Sequence, residues 1–433
     1  MSEWKKVKIG DICKIVKGTT GIASAEPGQY PLVVTAEERK TCSTYQFDCE
    51  AVCIPLVSSS GHGKKSLKNV HYQSGKFALG TILCAVIPNN PQELDARYLH
   101  QYLQFYKDIV LVPLMKGAAN VSLSMKDIAT VEFPLPPIKR QRELSNLFVS
   151  LQEKQKELSA EYEKQTEYAK LLRQNILQEA IEGKLTTDWR QQNPVQIGNP
   201  DYDAEALFEQ IQKERKNEKK QKELSPITDK EKPFEIPEGW KWVRLGEICD
   251  GFMYGTSNKS VPSGKCPVLR MGNIQDGHID WEKLVYTNDS EEIEKYKLNK
   301  YDLLFNRTNS REMVGKTAIF ESEENTIYAG YLVRFHPIIS NSYFINFILN
   351  SKTHREWCNS VKTDALGQSN INAEKLKDFV APLPPLEEQE EIVKKVETLL
   401  AKVTSLENQI QERKSLSDKL IFGIIKENLE GEK

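Results

Sequence analysis

The chain has little of what catalysis normally requires. It holds 6 histidines and 8 cysteines among 433 residues. No histidine falls in an HExxH pair, no cysteine in a CxxC pair, and no serine in a nucleophile elbow. Cys42, Cys49, Cys53 and His62 come nearest to a ligand set, but their spacing matches no common zinc pattern. Buried thiols in a reducing compartment are the simpler reading. No GxGxxG follows a strand pattern, and no Asn-Pro-Pro-aromatic motif of the kind amino-methyltransferases use is present. Two stretches imitate a phosphate loop and fail. "MVGKTAIF" has Ser310, and "SSSGHGKKS" has Ser58, where GxxxxGK[ST] needs its first glycine. Pro200-Asp201 ahead of Glu214-Arg215-Lys216 echoes a metal-dependent nuclease. These residues sit in a Glu/Lys/Gln-rich helical pattern, expected as solvated surface.

A charge bias is missing too. The 59 basic and 61 acidic residues leave a net charge of -2, so no global basic signature of nucleic-acid binding exists. A basic face can still be offset by acidic helices elsewhere. No apolar run approaches the length of a membrane span and the first residues show no apolar signal core, so a cytoplasmic protein without membrane association is expected.

What is present is repetition. "WKKVKIGDIC" (Trp4–Cys13) returns as "WKWVRLGEIC" (Trp240–Cys249), "GAANVS" (Gly117–Ser122) resembles "GQSNIN" (Gly367–Asn372), and Pro134-Leu135-Pro136-Pro137 recurs as Pro382-Leu383-Pro384-Pro385. "AIEG" at Ala180–Gly183 answers "NLEG" at Asn428–Gly431. The order is therefore globular, helix, globular, helix.

Each proline motif opens a charged helical pattern, as proline suits the first helical turn. With the motifs in register, Leu144, Phe148, Leu151, Gln155, Leu158 and Tyr162 align with Ile392, Val396, Leu399, Val403, Leu406 and Ile410. This spacing of four and three is a coiled-coil seam. A helix of about 45 residues would extend about 65–70 Å. A lone amphipathic helix cannot bury its stripe. The cover is the other helix, the helix's own globular half, or another chain; shared register and equal length favour antiparallel intramolecular pairing, which would put the two globular halves at opposite ends of a rigid rod. Glu387 and Glu388 suit a helix N-terminus, whereas Lys139 and Arg140 do not.

The globular halves differ most in their polar loops. The first packs Ser59, His62, Lys64 and Lys65 into one glycine-rich stretch; the second sets Arg307, Thr308, Asn309, Ser310, Arg311 and Lys316 after the apolar run Leu303–Phe305. Such side chains reach base edges and phosphates, and the same composition suits an ordinary polar turn.

The order of variable halves, each closed by PLPP and a long helix, resembles the specificity (HsdS) subunit of type I restriction–modification systems. "PFEIPEGWKWVRLGEIC" (Pro233–Cys249), "GKFALGTI" (Gly75–Ile82), "LLFNRTNSREMVGKTA" and "PLPPLEEQEEIV" (Pro382–Val393) carry the likeness. The resemblance implies an α+β fold: two globular α/β target-recognition domains separated by two long antiparallel coiled-coil helices, as a pseudo-two-fold tandem repeat. The corresponding divisions are a first recognition domain at 1–137, a helical spacer at 138–190, a charged linker at 191–237, a second recognition domain at 238–385 and a helical spacer at 386–433. It also implies a non-catalytic subunit that reads a bipartite, asymmetric target on double-stranded DNA. Two methyltransferase subunits and restriction subunits would be its partners, and they rather than this chain would bind S-adenosylmethionine, ATP and Mg. Asn120, Gln368 and Asn370 join the expected DNA contacts through the repeated Gly/Asn segment. A coiled-coil interaction scaffold without nucleic-acid specificity is the competing reading.

Overall fold

The computed structural model describes residues 4–60, 63–215, 224–365 and 367–430. His62 lies outside the described residues, as does the whole charge run 216–220. The chain divides into two compact units, Met1–Glu163 with Gln411–Lys433, and Lys164–Ile410.

In the first unit Lys6–Lys8 pairs antiparallel with Glu132–Pro134. A four-stranded antiparallel sheet follows, in the order Cys13–Lys17, Leu83–Pro88, Ala51–Pro55, His71–Gln73. A second sheet joins Tyr30–Val33 to Lys76–Leu79 in parallel. The second unit repeats this plan. Lys241–Arg244 pairs with Val380–Leu383, and the sheet order is Cys249–Tyr254, Leu332–Pro337, Leu303–Asn306, Thr317–Ile319. Cys266–Leu269 runs parallel to Ile327–Tyr328. The central strands read as unbroken apolar runs because both faces are covered. Along Ala51–Pro55, Val52 and Ile54 enter one core while Ala51 and Cys53 enter another. In Leu303–Asn306, Leu303 and Phe305 face one core and Leu304 the other. This is the two-residue period of a strand sorting its side chains.

The long helices are Ile138–Ile181 and Leu386–Glu430. Their contacts run antiparallel within each unit. In the first, Arg140 donates to Asn428 (3.2 Å), Gln155 to Asp418 (3.0 Å), and the Tyr162 hydroxyl meets that of Ser417 at 2.8 Å. In the second, Arg173 donates to Glu407 (2.8 Å) and Lys395 to the Leu185 carbonyl (3.0 Å). Helix pairing and packing on the globular half turn out to coexist. Leu144, Phe148 and Leu429 belong to the first unit's core, and Ile392, Val396 and Val403 share the second unit's core with Ala169, Ile176 and Ala180.

One expected seam residue is misplaced. Leu406 is 47 % exposed, and Glu407, opposite Arg173, takes its position. An α-helix drifts by roughly 20° per heptad against a strict seven-residue repeat, so after Val403 the inward residue falls four positions on. Leu151, Leu158, Leu399 and Ile410 are half-buried, as seam-edge positions are.

The proline motif has a structural purpose that its hydrophobicity does not reveal. Pro134 and Pro382 still belong to strands, paired with Lys6 and Trp242. Four residues past each motif, Gln141 and Gln389 are fully buried. Gln141 donates to the Pro136 carbonyl at 2.8 Å and accepts from the Asp95 amide at 2.8 Å. Gln389 does the same with Pro384 (2.9 Å) and Asn341 (2.8 Å). Asp95 and Asn341 cap Ala96–Val110 and Ser342–Leu349, so each glutamine locks a long helix to a helix of its own unit.

The neighbouring residue differs for a reason. Glu388 is buried and accepts from Thr186 (2.6 Å), Trp240 Nε1 (2.7 Å) and Arg190. Its counterpart Arg140 is half-exposed and reaches Asn428 and Glu143. The segment expected as a charged linker also packs: Ala204, Leu207 and Ile211 are fully buried in the second unit, so Ala204–Arg215 is not a solvated insertion. Its charged residues occupy the outer face of an amphipathic helix. Gly315-Lys316-Thr317 leads into the strand Thr317–Ile319, with no helix to cradle a phosphate. All eight cysteines are unbridged, and all but the half-buried Cys49 are buried. Among the described residues no helix is long and apolar enough to cross a membrane.

Candidate nucleic-acid interface

In the second unit the polar segments expected to meet DNA are brought together. Thr308–Asn309 forms a short strand against Gln368–Asn370, which pairs on its other side with Thr363–Ala365. Asn370 donates to the Thr308 hydroxyl at 2.7 Å, and Ser369 to Asp364 at 2.5 Å. The Ile371 amide donates to the Arg307 carbonyl at 2.9 Å, tying the base of the sheet to the strand Leu303–Asn306. Gln368 and Arg311 stand exposed. The Asn309 side chain turns back on the Ser310 amide at 2.8 Å. Lys362 reaches the Arg311 carbonyl (3.1 Å), Lys375 reaches the Val361 carbonyl (2.6 Å), and Asp364 faces Arg311 at 4.0 Å. The rim is thus basic although the chain as a whole is not. Lys316 leaves this cluster and donates to Gln275 at 2.9 Å.

Sequence reasoning missed two aromatics here. Tyr254 is 41 % exposed and Tyr331 47 %, and the Arg307 guanidinium lies 4.6 Å over the Tyr254 ring. Tyr254 is delivered by a close backbone crossing, in which a Cβ on Gly255 would stand 2.1 Å from the Tyr328 carbonyl oxygen. Only glycine fits there. The legible signal was an aromatic before glycine at a strand end, which composition alone does not separate from a core tyrosine.

In the first unit the equivalent loops also meet. The Leu123 amide donates to the Leu56 carbonyl at 2.9 Å and the Ser58 amide to the Val121 carbonyl at 3.0 Å. Lys64, Lys65 and Asn120 are exposed. Ser59 is held within its loop, its hydroxyl accepting from the Lys68 amide at 2.9 Å. Gly117 adopts a φ of 121°, which a side chain would strain.

These bonds set a different register between the halves from the one the Gly/Asn words suggest. Leu56 and Leu123 relate to each other as Arg307 and Ile371 do. Ser124 and Asn372 both cap the short helix that follows. Asn120 therefore matches Gln368 and Ser122 matches Asn370, at the interval that separates Pro134 from Pro382. The apparent match of Asn120 with Asn370 arises from short polar words, whose identity no packing enforces.

The profile of the type I restriction modification DNA specificity domain matches residues 1–167 and again 237–413. The chain is 34% identical over 166 residues to a putative type I restriction enzyme MjaX specificity subunit of Methanocaldococcus jannaschii, covering 37% of this chain and 39% of that one. It is 26% identical over 326 residues to the type I restriction enzyme EcoKI specificity subunit of Escherichia coli K12, covering 74% and 61%. The matched regions thus span less than two thirds of either relative's length. A solved structure, described as the basis of complex assembly and conformational transition of the type I R-M system, shares the fold with a TM-score of 0.69 at 17% identity, over 100% of this chain and 98% of that one. With two copies of the domain on two units of one plan, the chain belongs to the type I restriction–modification DNA specificity family.

Proposed function

We propose that this chain is the non-catalytic specificity subunit of a type I restriction–modification assembly. Each unit reads one part of a bipartite, asymmetric target on double-stranded DNA. The observation that carries this reading is the contrast between the halves. Sheet order and helix attachment are repeated, while the loop segments at equivalent places carry different side chains: Leu56 and Ser58 in one, Arg307 and Asn309 in the other. A repeated scaffold bearing unlike readers suits a target whose two parts differ. Phosphate contacts from Lys64, Lys65, Arg311 and Lys362 would supply salt-dependent affinity, and base contacts the sequence.

The paired helices serve as spacer and as docking surface for two methyltransferase subunits, which flip the target adenine. Those subunits bring S-adenosylmethionine; restriction subunits bring ATP and Mg. The assembly works in the cytoplasm. Co-expression with the cognate methyltransferase subunit, followed by methylome sequencing, tests the reading. A two-part methylated motif is expected, and exchange of residues 1–133 for another such domain should change one part alone. Change in both parts, or in neither, would defeat the modular assignment. Absence of any motif would favour a scaffold without nucleic-acid specificity.

A further inference from the structure

The Arg307 side chain is held in an unusual way. Among the described residues no carboxylate pairs with it, and its Nε is buried with no hydrogen-bond partner. Its one polar tether is a 3.5 Å contact from Nη1 to the Gly330 carbonyl. The guanidinium is instead positioned by its stack on Tyr254. That ring is itself fixed, since its hydroxyl accepts from the Ala373 amide at 3.0 Å. The Arg307 backbone is pinned at both ends, its amide donating to the Tyr331 carbonyl at 3.0 Å and its carbonyl accepting from Ile371. A cation stacked on an aromatic gives its face to the ring and keeps its in-plane donors; with Nε buried, the Nη1/Nη2 tip is the fork that remains to meet a ligand. Thr308 and Asn370 lie beside it on the same small sheet.

A guanidinium fork matches two acceptors in one plane, and guanine offers N7 and O6 in the major groove. We propose that Arg307, oriented by Tyr254, is the specificity-determining residue of the second unit and reads a guanine in its half of the target. The assignment rests on the DNA-specificity reading above. The first unit has no such fork, because Leu56 takes the equivalent place. Its amide donates to the Ile82 carbonyl at 2.8 Å as Arg307 does to Tyr331. Lys17 stands where Tyr254 does, just before Gly18, whose Cβ would lie 2.2 Å from the Gly80 carbonyl oxygen as Gly255 crowds Tyr328. Tyr254 is a positioning residue.

The test uses the full chain co-expressed with its cognate methyltransferase subunit, read by methylome sequencing. The half of the motif that survives exchange of residues 1–133 is assigned to the second unit. Arg307→Lys keeps the charge and loses the fork. It should relax one guanine in that half by about tenfold to a hundredfold, as loss of a bidentate contact does, and leave the other half unchanged. Tyr254→Leu should relax the same position less, and Tyr254→Phe, which keeps the stack, should preserve it. An unaltered other half shows that the variants fold and assemble. A guanine requirement that survives both Arg307→Lys and Arg307→Ala would overturn the inference while leaving the specificity reading intact. So would uniform weakening at every base with a shallower salt dependence, which marks a phosphate contact. A wild-type complex that marks no sequence would overturn the specificity reading, and this inference with it.

Discussion

Glu388→Leu should detach the segment after the first long helix from the start of the second. The carboxylate is 1 % exposed and accepts from three donors on two stretches: Thr186 and Arg190 on one, Trp240 on the other. Removing it strands the Trp240 N–H and leaves Arg190 without its counter-charge. Breaking a buried pair from one side costs about 3–5 kcal/mol. The lower end applies here, because the Arg190 side chain is 20% exposed and keeps its bond to the Gly183 carbonyl at 2.6 Å. The cost is therefore about 3 kcal/mol, a large share of the stability of an ordinary domain. Unfolding of a two-unit chain need not be two-state, so hydrogen exchange resolved by segment is the suitable assay. Protection should fall over Leu185–Tyr202 and the first turns of Leu386–Glu430, and stay unchanged over the sheet of the first unit. Pairing the change with Arg190→Leu should recover part of the loss, as a double-mutant cycle reveals for coupled residues. If Glu388→Leu alone left this protection within about 1 kcal/mol of wild type, the buried carboxylate would not be what fastens this segment.

Three further outcomes follow from the same geometry. Gln141→Leu and Gln389→Leu each leave a buried carbonyl and a half-buried amide unpaired and should cost about 2–4 kcal/mol in the unit concerned, measured by urea unfolding; a cost below about 0.5 kcal/mol at both sites would refute the helix-lock role. Leu406→Glu should be tolerated within about 0.5 kcal/mol, whereas Val403→Glu, 2 % exposed in the wild type, buries a charge and should unfold the second unit readily; equal effects would refute the shifted seam. His354 is buried, and desolvation with help from Arg355 lowers its pKa from 6.5 to about 3. The unfolded chain then binds a proton that the folded one refuses, so this contribution is complete above 6.5 and is lost as pH falls toward about 3. The urea midpoint of the second unit should fall across that window, and His354→Phe, placed among Phe305, Trp357 and Phe379, should flatten the fall; an unchanged slope would refute it.

The tandem plan was legible because its markers are locally encoded. Trp4–Cys13 and Trp240–Cys249 share a strand–turn pattern, and PLPP stops a strand and starts a helix wherever it is written. Antiparallel helix pairing was legible from the matched stripes. What misled was anything that depends on partners distant in the chain. The Ala204–Arg215 helix reads as solvated because its apolar residues are outnumbered, yet Ala204, Leu207 and Ile211 are fully buried. Lys316 reads as one of the Arg307 cluster, but strand geometry turns it to Gln275.

Composition and periodicity by themselves determined that this chain has two halves of one design, each ending in a long amphipathic helix, and that neither half carries a recognisable catalytic motif. Those facts need only local preference and repetition. The tertiary structure decided the rest: that Gln141 and Gln389 lock the helices, and that Glu388 differs from Arg140 because Trp240, Arg190 and Thr186 converge on it. It also decided that Arg307 of the second half answers Leu56 of the first. The physical reason is common to all three. A buried polar group is specified by the donors and acceptors that meet it, and these come from stretches that only folding brings within 3 Å or so of one another.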